Sequence, residues 1–120
     1  MKIVVTSQGP TADSPTDPRF GRARYLVLAD TETGECSAFE NEVNLNAVQG
    51  AGIQTGKRVV DLGAKAVVTG HVGPKAFSTL SAGGIAVYTG ASGTVSQAVE
   101  QFKAGSLQRA QGSDVEGHWA

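Results

Sequence analysis

The stretch Val68–Gly93, VTGHVGPKAFSTLSAGGIAVYTGASG, limits the possible folds more than any other part of the chain. Two short β-like runs each empty into a glycine-rich turn, and each turn leads into a segment with helix-start chemistry. Pro74 has the fixed φ that suits a first helical turn, and Thr94 can cap the following helix. Alternating units of this kind belong to layered α/β domains. Their turns also bring together backbone N–H groups suited to an anion.

The remaining chain fits around that pair of units. Ile3, Val4 and Val5 read as an interior strand, and Ser7–Phe20, rich in Pro, Asp, Ser and Thr, as a long loop. Arg24–Ala29 is a second strand and Asp30–Glu35 a hairpin turn with Gly34 near its tip. Cys36–Glu40 returns beside it as an edge strand, because Ser37 and Glu40 dilute its apolar content. Glu42–Ala51 is irregular. Gly52–Leu62 is predicted as the first helix, with Ile53, Gly56 and Val60 on one stripe, Val59 alongside, and Gly63 as a left-handed stop. Ala66–Thr69 and Ile85–Tyr88 are the fourth and fifth strands, and Lys75–Ala82 and Thr94–Lys103 the second and third helices. Thr94 and Gln97 are spaced for a capping box. The order β-β-β-α-β-α-β-α predicts a three-layer α/β domain with a mixed sheet. The domain is expected over residues 1–107, with 108–120 a polar, flexible tail that Leu107 docks.

Composition removes several function classes. Ten basic and eleven acidic side chains leave a formal charge of -1, without the basic excess of a general nucleic-acid binder. No run approaches the roughly 20 apolar residues that span a bilayer. The start, MKIVVTSQGP, is a poor signal peptide, and a single cysteine forms no internal disulfide, so a cytoplasmic setting is expected. One cysteine and two histidines give no cluster with metal-ligand spacing. Asp30 and Asp61 are isolated carboxylates that suit a turn and a helix face, so no catalytic constellation stands out.

The segments PRFGRARYLVLAD, NEVN and TGHVGPKAFSTLSAGGIAVYTGASGTVSQAVEQFKAGSL occur in one order and are followed by a histidine-bearing tail. In that combination the chain resembles the dinitrogenase iron–molybdenum cofactor biosynthesis family, from Met1 to about Leu107. It is most similar to the family's orange-protein branch, whose members carry a molybdenum–copper sulfide cluster. The resemblance implies a ribonuclease-H-like α/β/α fold with a five-stranded sheet of order 3-2-1-4-5, the second strand antiparallel. It implies non-enzymatic binding, carriage or assembly of an anionic molybdenum–copper sulfide cluster, held non-covalently. Relatives often have cysteine or glycine where this chain has Thr69-Gly70-His71, so the ligand chemistry of that turn differs here.

A cluster that brings its own sulfides needs N–H donors, cationic side chains and an apolar wall. The turns Gly70–Lys75 and Gly90–Thr94 and the loop Ser7–Arg22 are expected to converge on one rim. The candidate contacts are Arg19, Arg22, Arg24, Gly70, His71, Val72, Gly73, Lys75, Gly90, Ala91, Gly93 and Thr94. His71 is the candidate metal contact, through a sulfide edge or copper. Each arginine equally suits a solvated surface position, and His71 a turn that only orders its neighbours. Phe20 is expected to anchor the loop by burial, and Cys36 to be a small residue packed in the sheet, far from the rim. His118 and Trp119 belong to the tail, and Lys57 and Arg58 to a solvated helix face that could dock a protein client or delivery partner. The expected state is a monomer or weak homodimer. Two other functions stay open: a phosphate- or nucleotide-binding module, although neither turn has the full phosphate-loop spacing, and a cofactor-free regulatory module that recognises another protein.

Overall fold

A computed structural model describes residues 1–41 and 51–112. The irregular segment expected before the first helix falls almost wholly outside the described residues, as do His118 and Trp119. The elements in chain order are β1 (Lys2–Ser7), β2 (Tyr25–Asp30), β3 (Cys36–Glu40), α1 (Ala51–Asp61), β4 (Ala66–Val68), α2 (Pro74–Ala82), β5 (Ala86–Thr89), α3 (Val95–Lys103) and β6 (Gln108–Arg109).

The strands form one mixed sheet of order β3-β2-β1-β4-β5-β6. β1, β4 and β5 run parallel, and β2 is antiparallel to both β1 and β3. The unbroken apolar runs of β1 and β4 have a direct cause: both faces of the sheet are covered. Val4, Leu26, Val67 and Val87 pack with Val59 of α1 and Ala76 and Leu80 of α2. Ile3, Val5, Val27, Ala66 and Val68 face the other way and pack with Val95 and Ala98 of α3. The result is the expected three-layer arrangement.

Three expectations are corrected. The sheet has six strands, not five, because Gln108 and Arg109 pair antiparallel with Thr89 and Tyr88. The Ala110 N–H extends this pairing to the Val87 carbonyl at 2.8 Å. A strand of two exposed polar residues is held by its backbone and leaves no period in the sequence. Second, the stripe of α1 is rotated from the predicted one. Gly52, Thr55, Gly56 and Val59 are buried, while Val60 is 39% exposed. Gly56 sets this face, since a Cβ there would stand 2.9 Å from Thr79 Cγ2 of α2. Third, Cys36 is exposed rather than packed in the sheet. It belongs to β3, whose residues are exposed except for half-buried Phe39.

The local chemistry otherwise follows the sequence. Asp30 and Glu35 close the hairpin, with the Asp30 N–H donating to the Glu35 carbonyl at 2.9 Å. Gly63 ends α1 at φ +77°, a conformation that favours glycine. Thr94 and Gln97 form the reciprocal capping box. Among the described residues, no helix is long and apolar enough to cross a membrane.

Candidate functional site

The C-terminal ends of the parallel strands β1, β4 and β5 open onto one side of the domain. The loop that follows β1 crosses this side, and backbone hydrogen bonds join it to each neighbour. The Gln8 N–H donates to the Pro15 carbonyl at 2.9 Å, and the Asp17 N–H returns to the Thr6 carbonyl at 2.9 Å. The Thr16 N–H reaches the Gly93 carbonyl at 2.9 Å, in the turn after β5. The His71 N–H donates to the Pro18 carbonyl at 2.7 Å, and the Phe20 N–H to the His71 carbonyl at 3.3 Å. These last two bonds make Arg19 and His71 partners in a short parallel bridge. Phe20 is fully buried in the core, so it anchors the loop as expected.

Beneath the loop lies a floor of small polar side chains. Thr6 Oγ1 stands 2.7 Å from the Asp17 carbonyl oxygen and 2.8 Å from Thr69 Oγ1. One hydroxyl proton serves one acceptor at a time, so Thr6 Oγ1 divides its donation between the Asp17 carbonyl and Thr69 Oγ1. Gly70 is buried directly against the loop, and a Cβ there would lie 2.7 Å from Pro18 Cα. This position requires glycine for close approach, not for an unusual φ. Asn41 and Thr55 hold the next part of the loop. Asn41 Nδ2 donates to the Ala23 carbonyl at 2.8 Å, and Thr55 Oγ1 to the Gly21 carbonyl at 3.3 Å.

The expected rim of open N–H groups is not found at the start of α3. At α3 the Val95 and Ser96 N–H groups donate to the Ser14 and Ala12 carbonyls, both at 2.9 Å. The Thr94 and Gln97 N–H groups are taken by the capping box at 2.9 and 3.2 Å. The Gly90 and Ala91 N–H groups donate to the Gly70 and Thr69 carbonyls at 3.3 and 3.2 Å. Gly90, Ala91 and Thr94 thus spend their N–H groups inside the protein, and the Gly93 carbonyl accepts from Thr16. The N-terminus of α2 differs. Gly73 is its N-cap, no side chain caps it, and Pro74 occupies the first turn.

The cationic candidates separate into groups. Arg19 and Arg24 line one open depression of about 360 Å³ together with Gln8, Asp17 and Pro18. Arg22 is half-buried between Gly21 and Ala23, whose carbonyls are held by Thr55 of α1 and by Asn41. His71 is half-buried and Lys75 exposed, beside the start of α2. The Val72 side chain is fully buried in the core, so only its main chain borders this surface. Cys36 pairs with Ala29, which stands opposite Ile3 at the other end of β1. It lines a separate cavity of about 120 Å³ with Asp30 and Lys103. Among the described residues, no group of three or more His, Cys, Asp or Glu side chains is placed to hold a bare metal ion.

Sequence reasoning missed Asp17. Its side chain is buried, with 5% exposed. Oδ1 accepts the Arg19 N–H at 2.9 Å and lies 3.7 Å from Arg19 Nε. The signal was the Asp17-Pro18 dipeptide, a turn initiator whose carboxylate can bond the backbone two residues on.

The model of the family described as dinitrogenase iron-molybdenum cofactor matches residues 1–105. The chain belongs to this family. The high-resolution structure of the apo form of the orange protein from Desulfovibrio gigas superposes with a TM-score of 0.90 at 39% identity, covering 95% of this chain and 96% of that one. An NMR structure of a candidate NifB protein from Thermotoga, of the DUF35 family, gives 0.83 at 32% identity, covering 97% and 98%. A Methanocaldococcus jannaschii protein described as uncharacterized is 27% identical over 111 residues, 91% of each chain.

Proposed function

We propose that this protein binds and carries a preformed, anionic molybdenum–copper sulfide cluster, non-covalently and without catalysing a reaction. The single observation that carries the reading is the bridge between Arg19 and His71. It sets the arginine-rich loop against the turn that starts α2, the helix without a side-chain cap. Guanidinium groups, an imidazole and a helix N-terminus are the donors that an anionic sulfide surface can use. The cluster is cargo that brings its own sulfides, so the absence of a thiolate from this surface fits it. Family membership and the 39% identity to the orange protein support the same reading.

Arg19, Arg22, Arg24, His71 and Lys75 are the side chains proposed to face the cargo, with Gly70, Val72 and Gly73 contributing main chain. Gly90, Ala91, Gly93 and Thr94 are proposed to shape the surface, since their turn is bonded inward. His71 is the candidate copper or sulfide contact. The carrier is proposed to work in the cytoplasm as a monomer or weak homodimer that passes its cargo to a protein partner.

The test is anaerobic reconstitution with tetrathiomolybdate and copper(I), followed by metal analysis and a visible spectrum. The expected result is a coloured protein that retains both metals through gel filtration. A colourless, metal-free protein would sink the proposal. Competition by millimolar phosphate, with phosphate bound in the cluster's absence, would favour a phosphate site.

A further inference from the structure

We infer that Asp17 is the positioning residue of this site, holding the turn that presents Arg19 and His71 without touching the cargo itself. A buried carboxylate is out of place in a pocket meant for an anion. Its charge repels the ligand, and burial without partners is costly. Its bonds explain its presence. Oδ1 accepts the Arg19 N–H at 2.9 Å and so closes the Asp17-Pro18-Arg19 turn. The same carboxylate faces Arg19 Nε at 3.7 Å, which draws the guanidinium toward the depression the two residues share. The turn also aims the Pro18 carbonyl at the His71 N–H, and their 2.7 Å bond fixes the start of the His71 turn. The Asp17 main chain is itself clamped to Thr6 from both sides, through N–H to carbonyl at 2.9 Å and carbonyl to hydroxyl at 2.7 Å. One residue therefore links the strand end, through its main chain, to two proposed cluster contacts.

The role rests on the proposed cluster-carrying function, but its geometry can be read without any cluster. Asn at this position keeps an oxygen acceptor for the Arg19 N–H and removes the charge. Ser keeps a shorter, weaker acceptor, and Ala keeps none. A positioning role predicts that Asp17→Ala loses reconstituted cluster about tenfold faster than the parent, with Asp17→Ser between, while Asp17→Asn restores retention. A spectator carboxylate acting through charge alone predicts the opposite: Asn and Ala both tighten the anion equally.

The experiment measures two quantities on the full chain. One is cluster dissociation after reconstitution with tetrathiomolybdate and copper(I). The other is amide hydrogen exchange of Arg19 and His71 in the metal-free protein. Expected are faster exchange at both amides in D17A, by about tenfold, and near-parent exchange in D17N. Equal exchange in D17A and D17N, or equal dissociation from both, overturns the inference. If D17A does not fold, D17N and D17S decide it, and identical behaviour of those two overturns it. If the parent takes up no cluster, the carrying function fails, while the exchange comparison still decides whether Asp17 sets the turn.

Discussion

The hydroxyls of Thr6 and Thr69 meet 2.8 Å apart where β1 and β4 end, and Thr6 also supports the Asp17 carbonyl at 2.7 Å. Both threonines are fully buried. Losing Thr69 removes one bond and leaves Thr6 with its carbonyl acceptor. Losing Thr6 strands both the Asp17 carbonyl and the Thr69 hydroxyl. We therefore expect Thr69→Val to cost about 1 kcal/mol and Thr6→Val about 2–3 kcal/mol. Urea midpoints at unchanged slope measure both, and a larger cost for T69V would contradict Thr6 as the group shared by both bonds.

Gly70→Ala tests the close approach of loop and strand end. The new Cβ would fall 2.7 Å from Pro18 Cα and 2.8 Å from Pro18 O, atoms of the backbone that have little room to shift. The expected cost is about 1–3 kcal/mol, the usual range for overpacking. Amide exchange at His71 will rise with it, because its N–H bonds Pro18. Parent-like stability with unchanged exchange would show that the loop yields easily.

These two sites show what the sequence could and could not tell. The strands β1 and β4, the Asp30–Glu35 turn and the Thr94 cap were legible because burial on two faces, a hairpin and a capping box each leave a local pattern. β6 left none, since two exposed polar residues are held only by main-chain bonds. The segment after Ser7 reads as loop from its Pro, Asp, Ser and Thr content, and loop it is. What composition could not show is where its carbonyls go. Ser14 and Ala12 fill the α3 N-terminus through bonds between residues some 80 positions apart in the chain. The same long-range bonding turned an expected anion site into a packed joint.

Arg22→Ala is expected to weaken uptake of the anionic cluster more than Lys57→Ala. Arg22 is half-buried in the loop, whereas Lys57 is exposed on α1. A shielded, charge-assisted contact is worth roughly 1.5–3 kcal/mol, and an exposed lysine much less. Anaerobic titrations with tetrathiomolybdate and copper(I) at matched salt compare them. Equal affinities in two folded variants would remove Arg22 from the site.

His71→Ala is expected to speed cluster loss several-fold, about 1 kcal/mol, and to shift the visible bands. His118→Ala is expected to do less, because the His71 turn is tied to the arginine loop by two backbone bonds. Dissociation from the two variants under identical anaerobic conditions decides the order. An unchanged rate and spectrum for H71A would reduce His71 to a residue that shapes the turn.

Cys36→Ser is expected to leave cluster uptake and its absorption unchanged. The thiol is exposed at the far end of the sheet, so it will also react with a disulfide reagent without denaturant. Complete loss of metal from a folded C36S protein would reverse this assignment.

The short last strand has a further consequence, for how this sheet can grow. β6 hides the outer hydrogen-bonding side of Val87–Thr89 and, among the described residues, presents only two residues of its own. The other border, β3, offers five residues, with no strand beyond it among the described residues. A chain with two long borders can stack into a fibre, each copy templating the next. A chain with one can at most pair with a single copy, after which neither long border is left to propagate. Among the described residues, the β6 border thus offers a second copy only two residues to pair with.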